Sequence, residues 1–257
     1  MKMPDAIALD FDGVLCNGLR EYFQVALKAY RRIWPEATFV NLQLWEAAFG
    51  RLRPVVETGW EMPVVLRAIA QGKSEAALLD DWPSIRMTIL AQTSITPAEI
   101  GVWVDSLRDE WIQADLTSWL ALHDFYSGTV QQIHHWMGQG LPVFVITTKE
   151  SRFVKALFQQ AEVELPDSAI FGKDCLQPKA QTLRQLQAQG FERLWFVEDR
   201  LATLLTIQPQ SDLQSVGLFL ADWGYNTVGD RLSAAANPAI QVLSLPQFSQ
   251  PFEQWVS

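Results

Sequence analysis

The chain has 257 residues, 49% of them hydrophobic, enough to bury the core of one large domain or two small ones. A formal net charge of −9 argues against nucleic-acid binding, which needs a basic surface, but not against a small anionic substrate. No segment approaches the roughly 20 consecutive apolar residues of a membrane span. The N-terminus has no signal-peptide layout, and there are only two cysteines, Cys16 and Cys175. We expect a cytoplasmic protein that binds neither nucleic acid nor membranes; the sequence leaves its oligomeric state open.

Residues from about 17 to about 123 show helical periodicity and little strand signal. Apolar side chains recur at i, i+3, i+4 and i+7 over residues 19–33, and Pro35 follows that segment. A second helix is indicated around residues 64–69. Thr96, followed by Pro97 and Glu99, predicts a helix start with a capping box.

From about residue 126 onward, short apolar segments alternate with helical ones. Helices are indicated at residues 153–161 and 178–189. Five strands are predicted, at residues 141–146, 169–171, 194–197, 216–220 and 240–243. Nearly continuous apolar strands that alternate with helices are typical of a parallel sheet covered by helices on both faces.

The apolar segment at residues 6–10 predicts a sixth strand, far in sequence from the other five. The simplest topology adds it to the same sheet and inserts the helical block between them. We therefore predict an α/β protein whose Rossmann-like parallel sheet is formed by residues 1–15 and 124–257. Residues 16–123 form an inserted, all-helical domain in this prediction.

Oxygen-bearing side chains follow three of the predicted strands. Asp10 ends the predicted strand at residues 6–10 and Asp12 comes just after it, in the stretch AIALDFDGVLC. Thr147 follows the strand at residues 141–146, and Asp199 follows the strand at residues 194–197. Ligands of parallel α/β sheets bind at the carboxyl ends of the strands, so we expect these side chains at one edge. Such oxygen ligands suit Mg²⁺. For Asp10 and Asp12 alone, a solvated turn is the alternative.

Four segments resemble, in order, the motifs of the haloacid dehalogenase-like (HAD) superfamily. DFDGVL at residues 10–15 resembles the first motif, and VFVIT at residues 143–147 is similar to the second. QPK at residues 177–179 resembles the third motif, a lysine at a helix start. FVED at residues 196–199 resembles the acidic fourth motif.

This resemblance covers residues 4–16 and roughly 125–245, and the helical middle takes the position of the family's C1-type cap. It implies a cap that closes over the site and selects the substrate. In this resemblance Asp10 takes the position of the family's nucleophile, and Asp12 is an acid two residues after it. Such an acid fits phosphatase or phosphomutase chemistry, in which the leaving oxygen needs a proton. A dehalogenase has no such acid, because halide leaves without a proton.

The mechanism that the resemblance implies is phosphoryl transfer through an aspartyl-phosphate. Asp10 would be the nucleophile, and Asp12 would protonate the leaving oxygen and then activate water. Thr147 would donate a hydrogen bond to a phosphoryl oxygen, and Lys179 would balance the charge between Asp10 and the phosphate. Asp10, the Asp12 carbonyl and Asp199 would hold Mg²⁺.

The fourth motif departs from the family's frequent pattern of Gly-Asp followed four residues later by a second Asp. This chain has Glu198-Asp199, and Thr203 at the later position. Because the family also uses adjacent acidic pairs, Glu198 is a further candidate metal ligand, and we favour Asp199 for direct contact.

Each motif residue also has an ordinary structural interpretation. Thr147 could cap the following helix. Lys179 could be a solvated lysine, although a cation at a helix start opposes the helix dipole. Glu198 and Asp199 could form a solvated turn.

The resulting hypothesis is a Mg²⁺-dependent phosphatase for a small phosphorylated metabolite, such as a phosphoglycolate-like compound or a sugar phosphate. Thr148, Arg51 and Arg53 are candidate substrate-binding residues, although isolated arginines are more often solvated. The alternatives are a phosphomutase of the same fold, similar to β-phosphoglucomutase, and a binding or regulatory protein without turnover.

Overall fold

A computed structural model describes residues 3–36 and 41–256. Met1 and Lys2, part of the N-terminal sequence considered for targeting, lie outside the described residues. The chain divides into two compact units: residues 18–123 form one, and the residues up to Asn17 with those from Asp124 onward form the other. Among the described residues, no helix is both long enough and apolar enough to cross a bilayer.

The unit formed by residues 18–123 is built from helices. They are α1 (Leu19–Ile33), α2 (Leu42–Leu52), α3 (Glu61–Ala70), α4 (Glu75–Asp80), α5 (Trp82–Leu90) and α6 (Pro97–Leu120), with a 3₁₀ turn at Arg53–Val55. The predicted capping box is present, because Thr96 Oγ1 accepts from Glu99 N at 3.3 Å and Glu99 Oε2 accepts from Thr96 N at 2.8 Å. Helix α6 kinks at Asp115, whose φ of −159° and ψ of 83° are not helical.

Parallel strands form the sheet of the other unit. The strands are β1 (Ala6–Leu9), β2 (Cys16–Asn17), β3 (Asp124–Phe125), β4 (Val143–Ile146), β5 (Ile170–Phe171), β6 (Leu194–Glu198), β7 (Gly217–Ala221) and β8 (Ile240–Leu243). Six of them form one sheet in the order β5-β4-β1-β6-β7-β8, with every neighbouring pair parallel. The predicted α/β fold with a parallel sheet is confirmed, and β1 lies between β4 and β6 as a central strand.

The antiparallel ribbon of β2 and β3 was not predicted. Each strand has only two residues, too few to show an alternating pattern, and Cys16 pairs with Phe125 while Asn17 pairs with Asp124. Because of this pairing, the sheet-containing unit extends to Asn17, two residues beyond the predicted boundary at residue 15.

Alternate side chains of each strand point to opposite faces of the sheet, and both faces are covered. The helices of this unit are α7 (Thr129–Gly138), α8 (Ser151–Gln160), α9 (Lys179–Ala188), α10 (Leu201–Ile207), α11 (Val228–Ala235) and α12 (Leu245–Phe248). On one face, Ala8 and Phe196 belong to a buried cluster with residues of α9, α10 and α11. On the other, Trp195 lies 4.7 Å from Phe219 and 5.8 Å from Trp255 between ring centroids.

Candidate active site

Three adjacent strands end in polar residues at the same edge of the sheet. β1 is followed by Asp10, β4 by Thr147, and β6 ends in Glu198 and is followed by Asp199. Asp10 N donates to Val197 O at 2.9 Å, which places Asp10 level with the end of β6. All four residues are buried, with exposed fractions of 6%, 6%, 0% and 1% in chain order. Burial excludes the interpretation of Glu198 and Asp199 as a solvated turn.

A cluster of carboxylates surrounds a lysine at this edge. Oxygens of Asp10, Glu198 and Asp199 all lie within 4.8 Å of one another. Lys179, the first residue of α9, places its Nζ 2.8 Å from Asp10 Oδ1 and 2.7 Å from Glu198 Oε2. Its side chain is only 14% exposed, so it is a buried ion-pair partner and not a solvated surface lysine.

The electrostatics of the cluster show incomplete charge compensation. Burial raises the pKa of Asp10 to about 7; Lys179 opposes the rise, and the charge of Glu198 adds to it. Burial likewise raises the pKa of Glu198 to about 7, again against Lys179. Burial disfavours the charged form of Lys179, but the two carboxylates outweigh it and raise the lysine's pKa above its usual range. One ammonium group therefore does not keep both acids fully ionised near neutral pH.

Asp199 is held by the loop that follows β7. Its Oδ2 accepts from Tyr225 N at 2.7 Å, and its carbonyl accepts from Asn226 Nδ2 at 2.9 Å. Asn226 Nδ2 also donates to Ala221 O, the last residue of β7, at 2.8 Å. These bonds fix the Asp199 carboxylate toward the cluster, so the ends of both β6 and β7 contribute to its position.

Thr147 is not a helix cap. The following helix, α8, begins at Ser151 with Glu150 as its cap residue. Thr147 Oγ1 instead accepts from Lys149 N at 3.1 Å, which leaves the hydroxyl proton of Thr147 free to be donated. Thr148, the other candidate at this strand end, is exposed and lines a cavity beside it.

Asp12 lies outside the carboxylate cluster and has a partner that the sequence analysis did not identify. Its Oδ1 lies 3.2 Å from Lys149 Nζ, and the two side chains are only 12% and 6% exposed. The alternative interpretation of Asp12 as part of a solvated turn is therefore not what the structure shows. A lysine three residues after the end of a predicted strand, at the edge where the acids collect, was the available signal for this pair.

A family model described as haloacid dehalogenase-like hydrolase matches residues 4–208. The chain belongs to the haloacid dehalogenase-like hydrolases. This match confirms the family that the four motifs suggested, and it spans about four fifths of the chain. No curated protein matches the chain in sequence.

Solved structures share the fold of this HAD-like hydrolase at low sequence identity. A predicted phosphatase from Clostridium acetobutylicum is 14% identical with a TM-score of 0.59, and covers 96% of this chain and 97% of its own. A predicted phosphoglycolate phosphatase from Haemophilus somnus 129pt is 16% identical with a TM-score of 0.57, covering 88% of both chains. A HAD family hydrolase from Deinococcus radiodurans R1 with bound phosphate and sodium is 16% identical with a TM-score of 0.53, covering 94% and 91%.

The predicted arginine candidates of this HAD-like hydrolase have local partners. Arg51 pairs with Glu75, with Nε to Oε2 at 2.8 Å and NH2 to Oε1 at 2.6 Å. Arg53 NH1 donates to Val56 O at 2.8 Å, and its guanidinium lies 5.1 Å from the centroid of the Tyr22 ring. These contacts organise the helical unit, and a substrate role for either arginine stays a prediction.

The donor set of the HAD-like site fits a divalent cation. Mg²⁺ prefers oxygen ligands, and carboxylate oxygens of Asp10, Glu198 and Asp199 lie within 4.8 Å of one another, near enough to share one ion. Burial raises the pKa values of Asp10 and Glu198, and Lys179 only partly opposes this rise. A cation would supply further positive charge and keep both acids ionised.

Gly13 and Gly224 leave room for the Asp199 side chain. Gly13 has φ +91°, and a Cβ there would overlap the Asp199 carboxylate. A Cβ on Gly224 would overlap Asp199 Cβ and lie 2.5 Å from the carbonyl oxygen of Gly13. A larger residue at either position would therefore displace the Asp199 side chain.

Gly224→Ala should displace Asp199 and destabilise the protein by about 1–3 kcal/mol, the usual cost of overpacking. Asp199 is a predicted Mg²⁺ ligand, so we expect Mg²⁺ affinity to fall by about 10- to 100-fold when its position changes. Urea unfolding and Mg²⁺ titration measure the two effects. Gly138→Ala is the matched control, since a Cβ there meets nothing within 4 Å. Equal effects of the two substitutions would contradict the packing argument.

Proposed function

We propose that the chain is a Mg²⁺-dependent phosphatase that hydrolyses a small phosphorylated metabolite through an aspartyl-phosphate. The observation that carries this proposal is the convergence of Asp10, Thr147, Lys179 and the Glu198-Asp199 pair at adjacent strand ends. The relatives described as phosphatases and the one with bound phosphate share this fold and support the assignment.

In the first half-reaction, a carboxylate oxygen of Asp10 attacks phosphorus. The new bond to Asp10 forms as the bond from phosphorus to the substrate's leaving oxygen breaks. Asp12 donates a proton to that oxygen, so the product leaves as an alcohol. Thr147 donates its hydroxyl proton to a phosphoryl oxygen, and Lys179 offsets negative charge beside Asp10.

In the second half-reaction, Asp12, now a carboxylate, accepts a proton from water as the water oxygen attacks phosphorus. The bond between phosphorus and Asp10 breaks, and inorganic phosphate leaves with Asp10 regenerated. In this carboxylate form, the ion pair with Lys149 holds the Asp12 side chain in place. Mg²⁺, held by Asp10, Asp199 and the Asp12 carbonyl with Glu198 beside them, would neutralise phosphoryl charge when bound.

A screen of phosphorylated metabolites tests the proposal. We expect the purified protein to release phosphate from at least one of them with Mg²⁺, and to lose this activity with a chelator. The Asp10→Asn variant serves as the inactive control, which measures phosphate release that does not depend on the proposed nucleophile. Mg²⁺ binding without phosphate release from any compound would favour the alternative of a binding protein. A bisphosphate intermediate in place of free phosphate would indicate a phosphomutase.

A further inference from the structure

A cavity of about 320 Å³ opens beside the proposed phosphoryl-binding groups. It lies at the carboxyl ends of β4 and β5, next to the start of α9, and both Thr147 and Lys179 line it. Its volume falls in the range of about 300–1,000 Å³ that is typical of small-molecule sites. A phosphoryl group held by Thr147 and Lys179 therefore has room beside it for an organic group.

The lining of this cavity combines hydroxyl and amide groups with an apolar wall. Thr148, Gln177 and Thr182 supply the polar groups, and Gln177 Nε2 donates to Thr182 Oγ1 at 2.9 Å. Phe171 and Leu176 supply the apolar surface. A hydroxylated ring presents the same combination, with hydroxyl groups at its edge and C–H groups on its faces.

Leu176 at the rim has a conformation and an exposure that the fold alone does not explain. The residue is 90% exposed and its φ is +51°, in the left-handed region. It follows the 3₁₀ turn Lys173–Cys175, at a position where glycine or asparagine is usual. A left-handed φ is unfavourable for leucine, and so is exposure of its apolar side chain to water. Residues in such strained backbone conformations are frequent at ligand sites.

The rim segment at residues 172–177 is anchored at its base. Lys173 N donates to Lys149 O at 2.9 Å, and Gly172 N donates to Ser151 Oγ at 3.2 Å. Asp174 Oδ1 in turn accepts from Ser151 N, the first residue of α8, at 2.8 Å. These bonds fix the segment against the loop after β4, so the cavity wall is formed before any ligand binds.

We infer that this cavity is the subsite for the non-transferred part of the substrate, and that it takes a hydroxylated group of about hexose size. This inference rests on the proposed function, because the phosphoryl group must lie at Thr147 and Lys179. Leu176 covers the ring's apolar face, and Thr148 bonds to a ring hydroxyl. The amide nitrogen of Gln177 already donates to Thr182 and Gln185, so its amide oxygen accepts from another ring hydroxyl.

Calorimetric binding to the full-length Asp10→Asn protein with Mg²⁺ tests this subsite without turnover. The probes are glucose 6-phosphate and inorganic phosphate. We expect glucose 6-phosphate to bind more tightly than phosphate. Adding Leu176→Gly or Gln177→Ala should weaken glucose 6-phosphate at least about tenfold and phosphate less than about twofold. Leu176→Gly should fold normally because glycine adopts a φ of +51° readily.

Two controls sharpen the test. Leu176→Met keeps an apolar rim and should retain binding, and Gln187→Ala removes a glutamine of α9 that contacts Ser215, outside the cavity. Equal affinity for the two probes, or equal weakening of both by Leu176→Gly, overturns the subsite but leaves the phosphatase assignment standing. Binding of neither probe overturns the subsite, and if the wild-type protein also releases no phosphate from acetyl phosphate, the proposed function is overturned with it.

Discussion

Asp10→Asn should lower turnover of the best substrate by roughly 10⁴-fold or more, the scale of losing the nucleophile in covalent catalysis. An amide oxygen cannot form the aspartyl-phosphate, so the first half-reaction stops. The fold should survive. Burial already raises the pKa of Asp10 to about 7, so a neutral amide removes a group that is costly to ionise there. Lys179 keeps its ion pair with Glu198.

Phosphate release and urea unfolding measure the two parts of this prediction. At neutral pH without metal, we expect a free energy of unfolding within about 1 kcal/mol of the wild-type value. Asp5→Asn is the matched control, because Asp5 precedes the same strand at its opposite end and pairs with Arg193. Hydrolysis by Asp10→Asn at the wild-type rate would remove the nucleophile assignment.

The strands and their edge were predictable because the pattern that identifies them is local. Each central strand is a short apolar run that ends abruptly in an acid or a threonine, so Asp10, Thr147 and Asp199 mark the edge of the sheet in the sequence itself. The rule that parallel strands bring their carboxyl ends together then converts three distant positions into one site. The position of Glu198 within the carboxylate cluster follows from the same rule.

The partners of individual charges were less predictable. The density of basic residues around Arg51 predicts a substrate contact, yet its partner in the structure, Glu75, is 24 residues away. The ion pair of Lys149 with Asp12 joins loops that are 137 residues apart. Such contacts depend on the path of loops, which carry no hydrophobic periodicity. The left-handed conformation of Leu176 was equally hidden, because leucine rarely adopts it.

Lys179→Met should abolish activity and make the protein's stability strongly dependent on pH. The ammonium group lies between Asp10 and Glu198, and methionine fills its space without its charge. Removing one partner of a buried ion pair leaves uncompensated charge and destabilises by about 3–5 kcal/mol. That full effect requires both acids to be ionised.

The sign of the pH dependence follows from the raised pKa values of the two acids. Without metal, the folded protein binds their protons more tightly than the unfolded chain, so stability falls as pH rises from about 4 to about 7. Without Lys179 both pKa values rise further, and the fall extends to higher pH. The pKa of Lys179 is itself raised, so its charge stays constant across this window.

The difference in unfolding free energy between wild type and Lys179→Met should therefore grow between about pH 5 and about pH 8. Urea unfolding with a chelator at both pH values measures it. Lys155→Met is the matched control, because Lys155 pairs at 2.8 Å with the exposed Asp167, and such pairs contribute about 0–1 kcal/mol. A difference that stays flat with pH would show that Lys179 does not compensate the buried acids, and the electrostatic account of the site would be wrong.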